Sequence, residues 1–183
     1  INDMARGYKK AAGETTARII VCAGTGCVAN GSLKVYAEFV NCIRANGLNV
    51  VVELDEHKDN KGVHVSKSGC QGFCQMGPLV TVLPENILYV SVKPEDAAEI
   101  VEKTLVGKQV IERLLYKLPG GNEASRGYDE IPFYKKQNRF VIKKCGHINP
   151  EDIHEYIANE GYSAAERCYT KMNAEEVCKL MTD

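Results

Sequence analysis

Apolar positions along the chain follow two periods, and the switch between them marks out the elements. Ala17-Arg18-Ile19-Ile20-Val21 is a β-branched run and predicts a strand. Asn30-Gly31-Ser32 offers a helix N-cap; Leu33, Tyr36, Ala37, Val40 and Ile43 then recur at helical spacing until Asn46-Gly47 stops the element. Cys42 rides on that helix as a core residue. Residues 48–54 are almost continuously apolar, which predicts a buried strand lying parallel beside the first. After a polar stretch over 55–62, which holds His57, Val63-His64-Val65-Ser66-Lys67 reads as a short extended approach, with His64 facing out or satisfied inside. Residues 79–83 and 87–92 flank Pro84-Glu85-Asn86 and predict a hairpin. Pro94 opens a helix with Ala97, Ile100, Val101 and Leu105 on one face; Gly107 breaks it, and Val110, Ile111, Leu114 and Leu115 continue as a short amphipathic helix. The order is βαβ, then ββα: an α/β fold.

The flanks read differently. Residues 1–16 are polar and aperiodic, at most a frayed helix around 4–12, and are taken as an extension. Residues 119–130, opening on Pro119-Gly120-Gly121-Asn122, have the composition of a linker. Residues 131–142 are basic and aromatic, and a charge run of this kind is expected as solvated surface. Asn149-Pro150-Glu151-Asp152 caps a helix through about Asn159, with acids in the first turn where the helix dipole favours them. A further helix is expected over 163–171, and Asn173-Ala174-Glu175-Glu176 caps a last one carrying Val177, Leu180 and Met181. The predicted layout is an extension over 1–16, a main domain over 17–118, a linker over 119–130 and a mainly helical segment over 131–183.

Charge and composition narrow the function classes. With 26% charged residues and a net charge of −1, there is no basic footprint for nucleic acid. No apolar run reaches the ~20 residues of a membrane helix, so no membrane insertion is expected. Ile1-Asn2-Asp3-Met4 opens on polar ground without a signal peptide. Eight cysteines without an export signal argue for a cytoplasmic chain with reduced or metal-bound thiols over a disulfide framework. The start without Met and the stop just after a helical pattern are what a part of a longer polypeptide would show.

Two cysteine loops concentrate the chemistry. Val21-Cys22-Ala23-Gly24-Thr25-Gly26-Cys27 is a C-x4-C, and Ser68-Gly69-Cys70-Gln71-Gly72-Phe73-Cys74 is a C-x3-C followed by Met76-Gly77-Pro78-Leu79. Buried core cysteines would not need paired spacing on glycine-rich loops. Thiolates so arranged are soft ligands for iron–sulfur or zinc, and spacing alone leaves a [2Fe-2S] cluster and a structural zinc close to even. Thiol–disulfide exchange is disfavoured, since the C-x-x-C of that chemistry is absent. Cys145, Cys168 and Cys178 stand alone and are read as structural; Cys145-Gly146-His147 offers two ligands without two more.

The two loops, in that order of elements and with 42 residues between Cys27 and Cys70, resemble the thioredoxin-like [2Fe-2S] ferredoxin domain. Pro132-Phe133-Tyr134-Lys135-Lys136-Gln137, then Cys145-Gly146-His147-Ile148-Asn149-Pro150-Glu151-Asp152, Glu155-Tyr156-Ile157-Ala158 and Gly161-Tyr162 are similar to the opening segment of NADH-binding flavoprotein subunits. That succession resembles the β subunit of electron-bifurcating or NAD(P)-reducing [FeFe]-hydrogenases, with related fusions in NAD-dependent formate dehydrogenases; the equivalent subunit of such a dehydrogenase or of NADH:quinone oxidoreductase is the alternative. The resemblance implies that Cys22, Cys27, Cys70 and Cys74 hold a [2Fe-2S] cluster, one pair per iron. Loop amides around Gly24, Gly26, Gly69 and Gly72, or a nearby Lys67, would tune its potential. It further implies one-electron transfer between a flavin site and other subunits of a hydrogenase or NADH-oxidoreductase complex, with no catalytic residue of its own. FMN, NAD(H) and [4Fe-4S] sites are expected only downstream. The rival reading is a zinc-stabilised interaction module of a larger complex.

Overall fold

The computed structural model describes residues 1–118, 120 and 123–182. Strand β1 (Ala17–Cys22) sits at the centre of a five-stranded sheet, with every residue but Arg18 buried. On one side it pairs in parallel with β3 (Val63–Ser68), in a register that sets Arg18 against His64 and Cys22 against Ser68. On the other, β4 (Val80–Leu83) runs antiparallel to β1, and β5 (Ile87–Tyr89) closes the expected hairpin, Val82 opposite Ile87. The second strand departs from expectation. Pairing is confined to β2 (Val50–Val51), which lies at the sheet edge on β3 and not beside β1, giving the order β2-β3-β1-β4-β5. At an edge one flank of the strand meets solvent, and Val52 is accordingly exposed.

One sheet face is apolar and helix-covered. Helices α3 (Ser32–Ala45) and α4 (Asp96–Glu99), the latter running on into wider π-type turns over Ile100–Val106, set Val35, Phe39, Ile43, Ala97, Ile100 and Val101 against Ile19, Val21, Val65 and Val82. The buried stripe of α3 is Ser32, Val35, Phe39 and Ile43, so Leu33 is half exposed and Tyr36 and Val40 only flank the core. Cys42 is likewise half-buried, its thiol beside Glu38. The stretch expected as a short helix after Gly107 is a single turn over Glu112–Leu114, which leads into β6 (Tyr116–Lys117). Alanine in place of Phe39 would open a large core cavity, and chemical denaturation is expected to show a loss of about 3–5 kcal/mol.

The other face carries Arg18, His64 and Ser66, and here the C-terminal part packs down. Helix α1 (Asn2–Glu14) replaces the expected frayed extension; it buries Gly7, Tyr8 and Ala11 and packs on α6 (Ile153–Ala158), which Asp152 caps through the amides of His154 and Glu155. Glu155 of α6, only 2% exposed, reaches across to Arg18 in a bidentate pair of 2.7 and 3.1 Å. Of the two placements expected for His64, the structure shows the inner one: it is buried. Burial, helped by the Arg18 charge, pushes its pKa down to about 3.

This has a pH consequence. Unfolding returns His64 to about 6.5, so below that pH the unfolded chain binds the extra proton and folding loses about 1.4 kcal/mol per pH unit from this group. Urea melts between pH 7 and 5 are expected to show this loss, and His64→Gln to remove that share of the slope.

Of the expected linker, Pro119, Gly121 and Asn122 lie outside the described residues. Ala124–Ser125 forms β7, an antiparallel partner of β6. Helix α5 (Pro132–Lys135) follows, and α7 (Ser163–Lys171) and α8 (Ala174–Thr182) end the chain as predicted, with Asn173 and Glu176 capping each other's amides. Neither α7 nor α8 buries a residue, so Cys168 and Cys178 are not core positions. Among the described residues no helix is long and apolar enough to cross a membrane.

Candidate metal centre

Parallel pairing of β1 and β3 brings their C-terminal ends to one edge of the sheet, and each end carries a cysteine loop. Cys22 is the last residue of β1. Its amide donates to the Leu79 carbonyl at 3.0 Å, and the next amide, of Ala23, donates to Ser68 at 2.9 Å. The first loop is shorter than its spacing indicates. Gly24 caps a helix, α2 (Thr25–Ala29), whose first turn carries Cys27 inward to full burial. The second loop leaves β3 at Ser68, passes Cys70, and tightens into a turn over Cys74–Met76.

The loops interlock through glycines. A Cβ on Gly24 would lie 2.8 Å from the Cβ and 2.9 Å from the Cα of Cys70; one on Gly26 would lie 3.1 Å from the Cβ of Cys74. On the far side, a Cβ on Gly77 would meet the Cys27 sulfur at 2.5 Å. These positions leave no room for a side chain, and their absence of one lets thiols from two loops meet. Gly69, by contrast, has open space around it.

All four predicted residues are thus brought together, in two unlike pairs. Cys22 and Cys27 are fully buried; Cys70 and Cys74 are exposed, with sulfurs 3.5 Å apart. Two thiolates on one tetrahedral metal, at a metal–sulfur distance of about 2.3 Å, stand roughly 3.7 Å apart, so the outer pair already has the spacing of a shared iron. Two thiols per metal is the arrangement in which a binuclear cluster would be held, one pair to each iron.

The thiols of each pair bias one another. Cys27 beside it lowers the Cys22 pKa to about 6 against the opposing effect of burial, with help from the amides of Gln71 and Gly24. Cys22 in turn, together with burial, pushes Cys27 up, and Cys70 pushes Cys74 up. Of the two thiols, Cys22 is therefore the one whose surroundings favour the thiolate that binds a metal. The Gly72 amide donates to the Cys70 sulfur at 3.3 Å, an N–H···S bond of the kind expected of this loop. Lys67 is not such a neighbour, because its ammonium is taken by Glu151.

What sequence reasoning missed is the covering of the second loop. The basic, aromatic run is not simply solvated surface: Ile131 and Tyr134 are buried with Cys22, Cys27, Phe73 and Leu79, and Phe133 stacks on Phe73 at 5.0 Å. The lysines Lys135 and Lys136, Gln137, Asn138 and the end Phe140-Val141-Ile142 are exposed, as expected of a solvated charge run. Tyr128 and Arg139 reach the Gln71 carbonyl at 2.7 and 2.9 Å. The one signal for this was the density of aromatics in that run. Cys145 is half-buried and joins no metal group among the described residues.

A sequence model of the thioredoxin-like [2Fe-2S] ferredoxin family matches residues 8–105. The 2Fe-2S ferredoxin of Clostridium pasteurianum is 35% identical over 100 residues, covering 52% of this chain and 91% of the relative. That of Aquifex aeolicus is 35% identical over 89 residues, covering 49% and 71%. The solved wild-type thioredoxin-like [2Fe-2S] ferredoxin from Aquifex aeolicus is 31% identical, covers 56% of this chain and 97% of its own, and superposes with a TM-score of 0.44. With a family match over more than half its length and paired thiols that fit the family's cluster, this chain belongs to the thioredoxin-like [2Fe-2S] ferredoxins.

Proposed function

We propose that the chain is the electron-transfer module of an NAD(H)-dependent multi-subunit oxidoreductase of the bifurcating-hydrogenase β-subunit type, with Cys22 and Cys27 on one iron and Cys70 and Cys74 on the other. A [2Fe-2S] cluster, when bound, supplies storage of a single electron. The protein's own residues do the rest. Cys22 and Cys27, at 0% exposure, keep water from the inner side of the site, and Phe73, Leu79 and Ile131 wall it. Cys70 and Cys74 open the outer side to a partner, so exchange with flavin or with neighbouring subunits runs through that edge. The interlocked glycines hold the thiols at fixed spacing, which keeps reorganisation on electron transfer small.

The observation that carries the ligand assignment is the meeting of exactly these two thiol pairs across glycine contacts. The finer identity rests on the residues from Pro132 to Tyr162, which resemble the opening of a flavoprotein subunit; FMN, NAD(H) and [4Fe-4S] sites would belong to polypeptide downstream. The equivalent subunit of a formate dehydrogenase or of NADH:quinone oxidoreductase would use the module in the same way.

Alanine at Cys22, Cys27, Cys70 or Cys74 is expected to abolish most of the iron content, visible charge-transfer absorption and reduced-state EPR signal. Alanine at Cys145, Cys168 or Cys178 should leave all three intact. A colourless chain with one zinc would overturn the assignment. For the complex, NADH should reduce the centre when the downstream polypeptide is present and not when this chain stands alone.

A further inference from the structure

The peptide between Gln71 and Gly72 has both of its polar ends engaged, and they point opposite ways. Its N–H donates to the Cys70 sulfur, while its carbonyl accepts from the Tyr128 hydroxyl at 2.7 Å and the Arg139 Nη2 at 2.9 Å. A peptide group is planar, so fixing the carbonyl fixes the N–H. Gly72 adopts φ +85°, and a Cβ there would lie 2.7 Å from Nη2 of Arg139; glycine supplies both the turn and the room for the guanidinium.

Arg139 is itself held in place. Its Nε donates to Gln137 at 2.9 Å, and the guanidinium lies 5.1 Å from the Tyr134 ring centre and 5.9 Å from that of Tyr128, two rings stacked at 3.6 Å. Both donors come from beyond residue 105, outside the stretch matched by the ferredoxin family.

We propose that Tyr128 and Arg139 are positioning residues that raise the reduction potential of the centre: they clamp the Gln71–Gly72 peptide so that its N–H stays on Cys70, and Arg139 adds a fixed positive charge beside the outer thiol pair. This rests on the four-cysteine assignment above. A reduced cluster carries one more negative charge than an oxidised one, so an N–H···S bond and a neighbouring cation both favour the reduced form. Removing the clamp withdraws both.

The test is an EPR-monitored redox titration of the whole cluster-loaded chain. In Arg139→Gln the reduced-to-oxidised ratio, read at the wild-type midpoint, is expected to fall about tenfold, equal to 59 mV for one electron. Tyr128→Phe should shift it in the same direction by less. Arg139→Lys, which keeps the charge but not the planar fork, should recover part of the loss. Pulsed EPR in H2O and D2O adds a readout that simple destabilisation would not produce: the exchangeable-proton coupling assigned to the Gly72 N–H should weaken in Arg139→Gln and Tyr128→Phe. A potential within twofold of wild type in that ratio, or a rise, together with an unchanged proton coupling, would overturn the clamp while leaving the ligand assignment standing. Absence of a cluster in the wild type would overturn both.

Discussion

Gly24→Ala is expected to strip the chain of its cluster although every thiol remains. Gly24 has φ −63° and ψ 151°, a conformation any residue adopts, so alanine brings no backbone penalty. The cost is contact alone. Its methyl would sit 2.8 Å from the Cβ and 2.9 Å from the Cα of Cys70, where carbon atoms prefer about 3.5–4.0 Å. One of those atoms is backbone, so no flexible side chain can swing away. The second loop must move outward by roughly 1 Å to restore ordinary contact, a large step beside a metal–sulfur bond of about 2.3 Å. Overpacking of this kind costs about 1–3 kcal/mol even before the cofactor is lost. Gly69→Ala, one residue from Cys70 but with nothing within 4 Å of the added atom, is the matched control and should keep its iron. Iron content, visible absorption and thermal melting of the two variants decide the matter. Equal cluster occupancy would mean that the interlock does not set the spacing of the thiols.

That interlock shows what could and could not be read from the sequence. The glycines flanking the cysteines were legible as a need for close approach, but which atom each one approaches is a fact of tertiary packing. Local signals carried well: the β4–β5 hairpin follows from two β runs around Pro84-Glu85-Asn86, and the Asn173–Glu176 capping pair from its own spacing. Helix α3 was legible as a helix but only partly in its buried face. Of the expected stripe Ile43 is fully buried and Tyr36 and Val40 flank the core, while Leu33 and Ala37 are exposed; Val35 and Phe39 beside them are the positions that the sheet covers. For His64 the sequence left open whether it faces out or sits inside, and the structure buries it; the 131–142 run is largely the expected solvated surface, except that Ile131 and Tyr134 are buried against the cysteine loops. Strand β2 was overestimated because a continuous apolar run reads the same at an edge as in the middle of a sheet.

The same covering face yields the second large effect, at Glu155. Its carboxylate holds the Arg18 guanidinium through two bonds and also accepts the Asn149 amide at 2.8 Å, at 2% exposure against 19% for the arginine. Such a pair adds little net stability over apolar residues of the same size, because both charges have given up water. Removing one partner alone is another matter: a mostly covered guanidinium stays behind without a counter-charge, beside a histidine already kept neutral. Glu155→Ala is therefore expected to cost about 3–5 kcal/mol in urea denaturation. The paired replacement Arg18→Met with Glu155→Leu should recover most of that loss, since no charge then remains to be solvated. The cycle separates an uncompensated charge from mere loss of packing on α6, because the double variant also lacks the ion pair. A single variant within about 1 kcal/mol of wild type would show that Arg18 finds water or another acceptor when Glu155 is gone. In that case the packing of α1 on α6, and not the ion pair, would be what fastens the C-terminal segment to the sheet.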